Sequence, residues 1–322
     1  MRRFVRTVCR CCPKTHYSDR TWQTVAQVGH REGQIVTTPA SGGPTVRRIL
    51  VGAQLRRLRE AAGISREEAG YRIRGSESKI SRMELGRVGF KDRDIVDLLE
   101  YYGVEDPEQR KILITMAKEA NTPGWWHDYD DVLPGWFQTY VGLEEAASLI
   151  RTYEVQFVPG LLQTDDYARA VTLSGAPEAS SEDVDRRVQL RMERQRLLTR
   201  EKPLRLWAVV DEAALRRPMG GTKVMRGQIK ALLEVSDMPN VTIQIMPFRF
   251  GGHAADGGPF SILRFAEPDL PDIVYLELMV SALYLEKREH VDRYTQTMDR
   301  LTVDSPPPEV TRETLRKILT QI

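Results

Sequence analysis

The sequence predicts a multi-domain chain in which an all-α domain of five helices precedes a mixed α/β domain. Apolar residues recur at helical spacing from about residue 46 to residue 120, whereas short β-rich runs alternate with helical patterns beyond residue 125. Between the two patterns, the segment NTPG at residues 121–124 favours a break in the chain. We therefore predict domains at residues 45–120 and 125–322, and a chain of 322 residues with 41% hydrophobic content can supply both with cores.

The first helix and the start of the second are predicted from apolar spacing and capping residues. One face of the first helix carries Val51, Leu55, Leu58 and Ala62. Gly63 is suited to end this helix, whose predicted range is residues 46–62. Ser65 and Glu68 have the spacing of a capping box, in which each side chain accepts a hydrogen bond from the backbone amide of the other residue. A second helix is therefore expected to begin at Ser65.

A tight turn and a third helix follow. Arg74 and Gly75 supply the turn, and Ser76 can cap a helix that buries Ile80 and Met83. The side chains that this helix turns outward are Glu77, Ser78, Ser81 and Arg82. Two short helices joined by a tight turn are typical of a DNA-binding helix-turn-helix, whose second helix enters the major groove. The outward face is the candidate recognition surface, and double-stranded DNA is the predicted partner.

This region resembles the Cro and phage-repressor class of helix-turn-helix domains, the XRE-like family. The resemblance rests on LRRLREAAGIS at residues 55–65, on REEAG and SKIS in the next two helices, and on the ELG that ends the third. It implies a buried ion pair between Arg59 and Glu84, which holds the recognition helix at a fixed angle. Ala69 and Gly70 depart from the family pattern of leucine followed by alanine. Gly70 lets the second and third helices approach closely but lowers helix propensity by about 1 kcal/mol.

The resemblance also implies which residues contact which part of DNA. The outward residues of the third helix would face base edges, where Glu77 can accept from the cytosine amino group and Arg82 can bind guanine through two hydrogen bonds. Arg66, Lys79 and the Ser65 end of the second helix would contact phosphates. For any single charge, a solvated helix face is the alternative interpretation. The predicted DNA-binding residues are Ser65, Arg66, Ser76, Glu77, Ser78, Lys79, Ser81 and Arg82.

Two further helices complete the five of the N-terminal domain. One is predicted over residues 91–102 and ends before Gly103. The other follows Asp106, has proline at its first position, and continues to about Ala120.

The charge of the chain is unevenly divided. Residues 1–104 contain 20 Lys and Arg against 11 Asp and Glu, a net charge of +9, whereas residues 105–322 carry a net charge of −7. A basic N-terminal third is typical of a protein that binds nucleic acid. An acidic remainder disfavours indiscriminate DNA binding and suits a basic partner. An accidental division of charge is the alternative.

Residues 1–44 are predicted to form a disordered basic arm, because they lack periodicity and carry few acidic residues. Either a flexible tail that adds phosphate contacts or a mis-set translation start would explain this arm. Cys9, Cys11, Cys12 and His16 could be taken for a metal cluster, but adjacent cysteines such as Cys11 and Cys12 lack the two-to-four-residue spacing usual among zinc ligands. The sequence therefore predicts no metal site, no cofactor and no disulfide framework.

The sequence shows no pattern of a membrane segment or a signal peptide. No run of about 18 apolar residues is present, and no apolar core follows the basic start. We therefore expect no membrane partner and a cytoplasmic protein that associates with the nucleoid.

The C-terminal domain is predicted as helices interleaved with strands, a mixed α/β order. Its runs rich in β-forming residues are 153–158, 204–210, 241–246, 260–265 and 273–276. Its helical patterns are 136–151, 166–174, 181–200, 222–236, 290–301 and 309–322.

Nearly all of residues 125–320 resemble the C-terminal domain attached to actinobacterial WhiJ-like regulators. The segments that carry the resemblance include VPGLLQTDDYARA at 158–170, RMERQRLL at 191–198 and VVDEAALRRPMGG at 209–221. The resemblance implies a transcriptional regulator of development or secondary metabolism, often acting with a small protein encoded beside it. It does not say what the C-terminal domain binds, so we call this part a sensor or partner-binding domain.

Three motifs of this domain have open interpretations. VPGLLQT at residues 158–164 is interpreted as a strand-to-helix turn, with a ligand loop as the alternative. The glycine-rich segment at residues 251–258 is interpreted as a hairpin connection in which His253 could contact a ligand. Arg191, Arg194 and Arg196 lie on a predicted charged helix. Three interpretations of this helix remain open, namely a solvated face, a dimer contact and a partner contact.

Functions of three classes compete. We favour a sequence-specific transcriptional regulator that forms a homodimer and is controlled through its C-terminal domain by a small protein partner or ligand. The alternative is an antitoxin-type protein that neutralises a small partner and autoregulates its operon. An enzyme is not expected. Arg205, Ser261 and Glu277 lie on three predicted strands and loosely resemble residues of ADP-ribosyl transfer folds, but such residues are usually structural.

Overall fold

The computed structural model describes residues 44–266 and 270–322. Cys9, Cys11, Cys12 and the rest of the predicted arm up to residue 43 lie outside these ranges. Helices are numbered α1 to α12 and strands β1 to β6 in chain order.

Five helices form the N-terminal part, as the sequence predicts. They are α1 (Pro44–Ala61), α2 (Arg66–Arg72), α3 (Glu77–Glu84), α4 (Asp92–Tyr101) and α5 (Pro107–Ala120). The local signals that start them are in place. Ser65 and Glu68 form the predicted capping box of α2, and the Asp106 side chain accepts a hydrogen bond from the Glu108 amide at the start of α5.

The long helix α1 organises this part of the molecule. It packs against α3, α4 and α5, and its Val51 and Leu55 share one core with Ile80 of α3. Gly52 allows α1 to cross the end of α3, because a Cβ at this position would lie 2.4 Å from the carbonyl oxygen of Met83. The close crossing fixes the position of α3 against α1.

The C-terminal part contains seven α-helices and six strands within the described residues. The helices are α6 (Gly135–Ala146), α7 (Asp165–Gly175), α8 (Ser181–Arg194), α9 (Glu212–Arg216), α10 (Thr222–Val235), α11 (Arg288–Asp304) and α12 (Pro308–Gln321). The strands are β1 (Ala147–Glu154), β2 (Arg205–Asp211), β3 (Val241–Met246), β4 (Phe260–Phe265), β5 (Ile273–Glu277) and β6 (Ala282–Leu285). Short 3-10 helices lie at Trp125–Tyr129, Gly160–Leu162, Gln195–Leu198 and Phe248–Phe250.

The six strands form one mixed sheet in the order β3-β2-β1-β4-β5-β6. The strands β1, β2 and β3 are parallel, whereas β4 is antiparallel to β1 and continues into an antiparallel β4-β5-β6 meander. The interpretation of residues 251–258 as a hairpin connection is therefore wrong. This segment joins the edge strand β3 to β4, which lies on the other side of β2 and β1, so it is a crossover.

The first strand also differs from its prediction. The sequence predicts a helix over residues 136–151 and a strand over 153–158, but α6 ends at Ala146 and β1 occupies Ala147–Glu154. β1 is hydrogen-bonded to β2 on one side and to β4 on the other. Because both ladders stabilise the extended backbone, they outweigh the helical pattern of the local sequence. β6 was not predicted, and its four residues are too few for a clear pattern.

The N-terminal helices and the C-terminal part are in direct contact through α1 and α6. Gly142 of α6 lies against Thr45 of α1 and Trp126, and a Cβ at Gly142 would come within 1.9 Å of the Thr45 hydroxyl oxygen. The contact therefore depends on a residue without a side chain. Among the described residues, no helix is both long and apolar enough to cross a membrane.

Candidate DNA-binding surface

The turn between α2 and α3 is built from backbone contacts that require small side chains. The Gly75 amide donates to the Gly70 carbonyl oxygen at 2.8 Å, which closes α2. Arg74 lies in the left-handed region with φ of 53°. A Cβ on Gly70 would lie 2.8 Å from the carbonyl carbon of Ser76, at the start of α3. The departure from the family pattern at Gly70 is thus the residue that lets α2 and α3 meet.

The ion pair implied by the resemblance is present beneath the recognition helix. Arg59 Nε lies 2.5 Å from Glu84 Oε1, and Arg59 Nη2 lies 3.1 Å from Glu84 Oε2. Both side chains are buried, and Arg59 Nη1 also donates to the Ile64 carbonyl oxygen at 2.8 Å. The hydrogen bond to Glu84 raises the pKa of Arg59 above its ordinary value. The pair ties the end of α3 to α1 and to the loop that follows it.

Two residues expected to contact phosphates also form ion pairs within the domain. Arg66 Nε donates to Glu84 Oε2 at 3.0 Å, so Glu84 lies between two guanidinium groups. Lys79 Nζ donates to Asp94 Oδ2 of α4 at 2.5 Å, and the Asp94 side chain is buried. A buried carboxylate requires a cationic or hydrogen-bonding partner. These two cations hold α3 in place, and their contacts with phosphates remain a prediction.

Four of the remaining predicted residues, Glu77, Ser78, Ser81 and Arg82, form the outward face of α3, which we call the recognition face. Glu77, Ser78 and Arg82 are exposed, Ser81 is half-buried, and Arg82 Nε donates to the Ser78 carbonyl oxygen at 3.3 Å. Ser65 and Ser76 are exposed at the starts of α2 and α3, where their side chains accept hydrogen bonds from the amides of Glu68 and Lys79. Each helix therefore begins at an exposed serine that caps one of its first backbone amides.

Sequence reasoning missed three exposed residues next to this face. Arg74 lies in the turn before α3, Arg87 follows the end of α3, and Tyr71 on α2 is 85% exposed. Arg74 and Arg87 flank α3 in the sequence and add exposed positive charge on either side of it. The RIRG segment at residues 72–75 was a usable signal for Arg74, because a charged residue in a tight turn must point to solvent.

The arginines of α8 do not form one solvated face. Arg194 is buried, and its guanidinium binds the Glu144 carboxylate through contacts of 2.6 and 2.8 Å. Arg191 Nη1 donates to Gln163 Oε1 at 2.8 Å. Only Arg196, which pairs with Glu193, is exposed as the solvated interpretation requires.

Of the three residues of the enzyme alternative, the structure brings two together. Ser261 and Glu277 line a common cavity at the end of β1. Arg205 instead pairs with Leu149 near the start of that strand, whereas Ser261 pairs with Thr152 nearer its end. Three residues along a strand span about 10 Å.

Comparison with known families finds two matching segments in the chain. Residues 50–112 match the model of the helix-turn-helix domain family. Residues 137–317, more than half of the chain, match the family described as a domain of unknown function, DUF5753. The searches of curated proteins and of solved structures found no significant match. The chain therefore belongs to the DUF5753 family and carries a helix-turn-helix domain ahead of the family segment.

Proposed function

We propose that the protein is a sequence-specific DNA-binding regulator of transcription that reads DNA through the recognition face of α3. One observation carries this proposal. The inner residues Ile80, Met83 and Glu84 anchor α3 to the core, while Glu77 and Arg82 stand free on its outer side. A helix fixed on one face and polar on the other can enter the major groove without reorganising the domain.

The outer residues have distinct expected roles. Arg82 reads guanine through two hydrogen bonds, and Glu77 accepts a hydrogen bond from a cytosine amino group. The amides at the Ser65 and Ser76 ends of α2 and α3 contact phosphates, together with Arg74. The positive charge of residues 1–104 supports the same face by strengthening nonspecific attraction to DNA.

The regulatory context comes from the resemblance of the C-terminal part to WhiJ-like regulators. The protein would act in the cytoplasm, on nucleoid DNA, as an actinobacterial regulator of development or secondary metabolism. A single small helix-turn-helix domain contacts few base pairs, so two copies on a palindromic site would provide the required affinity. The C-terminal part would control this homodimer without catalysis, through a small protein partner or a ligand.

The test is selection of binding sites from random duplex DNA with the purified full chain, followed by affinity measurements on the enriched site. Arg82→Ala should weaken binding to that site by about 1–3 kcal/mol, roughly 5-fold to 150-fold, and relax preference at one base pair. Nonspecific binding should change little. The matched control is Arg300→Ala, which removes the same charge from an exposed position on α11.

Genome-wide mapping of bound DNA gives the second measurement. Discrete peaks upstream of genes that vanish in Arg82→Ala would support a transcription factor. Equal losses on cognate and random DNA would contradict base reading by Arg82. Diffuse occupancy, combined with tight capture of a small neighbouring protein, would favour the antitoxin-type alternative.

A further inference from the structure

The C-terminal part contains a cavity of about 460 Å³ that the DNA-binding role does not use. It opens where β1 ends, and β4, β5, α6, α8 and the segment after β1 contribute to its wall. The volume lies within the range of sites that bind small molecules. The segment VPGLLQT takes part through Gly160 and Gln163, so the ligand-loop interpretation is compatible with its position.

One side of the cavity carries two carboxylates with no cationic partner. Glu154 lies at the end of β1 and is half-buried, while Glu277 is exposed at the end of β5. Neither forms a salt bridge within the part of the chain that the structure describes, and their polar contacts are the hydroxyls of Thr152 and Tyr275 at 3.4 and 3.0 Å. Burial and the nearby Glu277 carboxylate raise the pKa of Glu154 to about 8. The carboxylates therefore repel each other until a cation or a proton lies between them.

The cavity wall also carries one cation without a carboxylate partner. Arg191 of α8 has Gln163 as its hydrogen-bond acceptor and forms no salt bridge to any described residue. Burial and the neighbouring Arg194 lower the pKa of its guanidinium to about 10, against the opposing effect of the Glu277 carboxylate across the cavity, so the group keeps its charge near pH 7. Its neighbour Arg194 differs, because Glu144 neutralises it through two contacts. Arg191 is thus available for an anionic group.

Aromatic side chains form much of the remaining wall. Tyr140 and Tyr275 pack with tilted rings whose centroids are 4.2 Å apart, and Phe137 stacks on Tyr140 at 5.3 Å. The other aromatic residues of the wall are Phe157 and Phe260. Such rings suit the apolar body of a ligand and also stabilise a nearby ammonium group.

We propose that this cavity binds a small zwitterionic molecule of the amino-acid class, with its ammonium group at Glu154 and Glu277 and its carboxylate on Arg191. A cation alone would leave Arg191 without an anionic partner, and an anion alone would leave Glu154 and Glu277 without a cation. An apolar or aromatic side chain of the ligand would contact the aromatic wall. Binding the ammonium group favours the ionised form of Glu154, so the protein releases up to one proton when the ligand binds.

The cavity is also placed to affect the DNA-binding helices, and this step rests on the proposed function. Phe137 and Tyr140 belong to α6, the helix whose Gly142 packs against Thr45 of α1. A ligand that orders α6 would therefore act on a helix that contacts the N-terminal part. The coupling can be present or absent without changing the binding proposal itself.

The binding test uses the full chain and matched probes. The probes are L-phenylalanine, L-tryptophan and L-leucine, each compared with its decarboxylated amine and with its deaminated acid. We expect at least one amino acid to raise the melting midpoint and to bind at least tenfold more tightly than either single-charge analogue. Calorimetry in buffers of different ionisation enthalpy should show proton release near pH 7 that disappears in Glu154→Gln.

Variants of the charged residues test the assigned contacts. Arg191→Gln and Glu277→Gln should each weaken binding of the same amino acid at least tenfold, while Arg196→Gln, at an exposed arginine beyond the cavity, should not. If Arg191→Gln fails to fold, Arg191→Lys replaces it and should show an intermediate loss. The proposal is overturned if no probe binds, if an amine or acid binds as tightly as its amino acid, or if the Arg191 variant binds normally.

The Arg82→Ala variant tests the DNA-binding proposal independently of the cavity. Arg82→Ala should bind the amino acid as the unmodified chain does, and its DNA affinity alone should fall. Ligand binding with no DNA binding would therefore sink only the proposed function, and the reverse result would sink only the cavity proposal.

Discussion

The charges beneath α3 differ from Glu154 and Arg191 of the C-terminal cavity in whether the protein itself neutralises them. Around α3, Glu84 is held between Arg59 and Arg66, so its charge is neutralised by the protein itself. In the C-terminal cavity, Glu154 and Arg191 line one space without forming a salt bridge. Neutralised charges make a rigid support, whereas charges left open at a cavity are suited to a ligand. The difference separates residues that hold the fold from residues that are free to bind.

Removing one member of a neutralised pair should have the largest effect on stability. We expect Arg194→Met to lower the free energy of unfolding by about 3–5 kcal/mol, because the buried Glu144 is left without its cationic partner. Arg59→Met should lower it by less, since Arg66 still pairs with Glu84. Denaturant unfolding measures this loss. Arg56→Met, at an exposed position, is the control and should change stability by less than about 1 kcal/mol. An unchanged unfolding midpoint in Arg59→Met would contradict the supporting role of its pair.

Replacement of Gly70 should have the next largest effect on stability, and it tests whether α3 is held in a fixed position. Gly70→Ala places a methyl group against the backbone at Ser76, so we expect a loss of about 1–3 kcal/mol and weaker cognate DNA binding. Gly227→Ala is the matched control in the exposed middle of α10, where no atom lies within 4 Å. It should stabilise by up to about 1 kcal/mol through helix propensity. Thermal unfolding measures the melting midpoint of both variants. If both substitutions shift the midpoint in the same direction, the expected difference between the two positions is contradicted.

The smallest effect on stability is expected at Glu154, whose carboxylate lines the cavity, and this effect depends on pH. The pKa of Glu154 is raised from 4.5 to about 8 by burial and by Glu277, so the folded protein keeps a proton that the unfolded chain loses. The stability linked to this proton is complete below pH 4.5 and is lost as pH rises through 8. Glu154→Gln should therefore gain stability relative to the unmodified chain as pH rises, and the gain should appear as a shift of several degrees in melting midpoint between pH 5 and pH 9.

The control for this pH effect is Glu60→Gln. The hydrogen bond from Arg56 lowers the pKa of Glu60, so its contribution has the opposite sign and is lost on acidification. Melting curves of the three proteins between pH 5 and pH 9 measure the difference. A Glu154→Gln curve parallel to that of the unmodified chain would show that the cavity does not hold the proton.

The α2–α3 region could be predicted in detail because its signals are local. The Ser65 capping box, the Ser76 cap and the buried positions Ile80 and Met83 depend on residues within four positions of each other. The resemblance added Arg59 and Glu84, which lie far apart in sequence. The partners of Arg66 and Lys79 could not be predicted, since Glu84 and Asp94 approach them only when α3 and α4 have packed.

The sequence by itself determined the helices of the N-terminal part, the mixed α/β class of the remainder and the outward face of α3. Only the tertiary structure decided that β1 is a central strand, that residues 251–258 form a crossover, and that Glu154, Arg191 and Glu277 line one cavity. Helix periods and caps arise between near neighbours, so they can be read along the chain. Sheet order and a shared cavity arise between segments far apart in sequence, and no local pattern encodes their proximity.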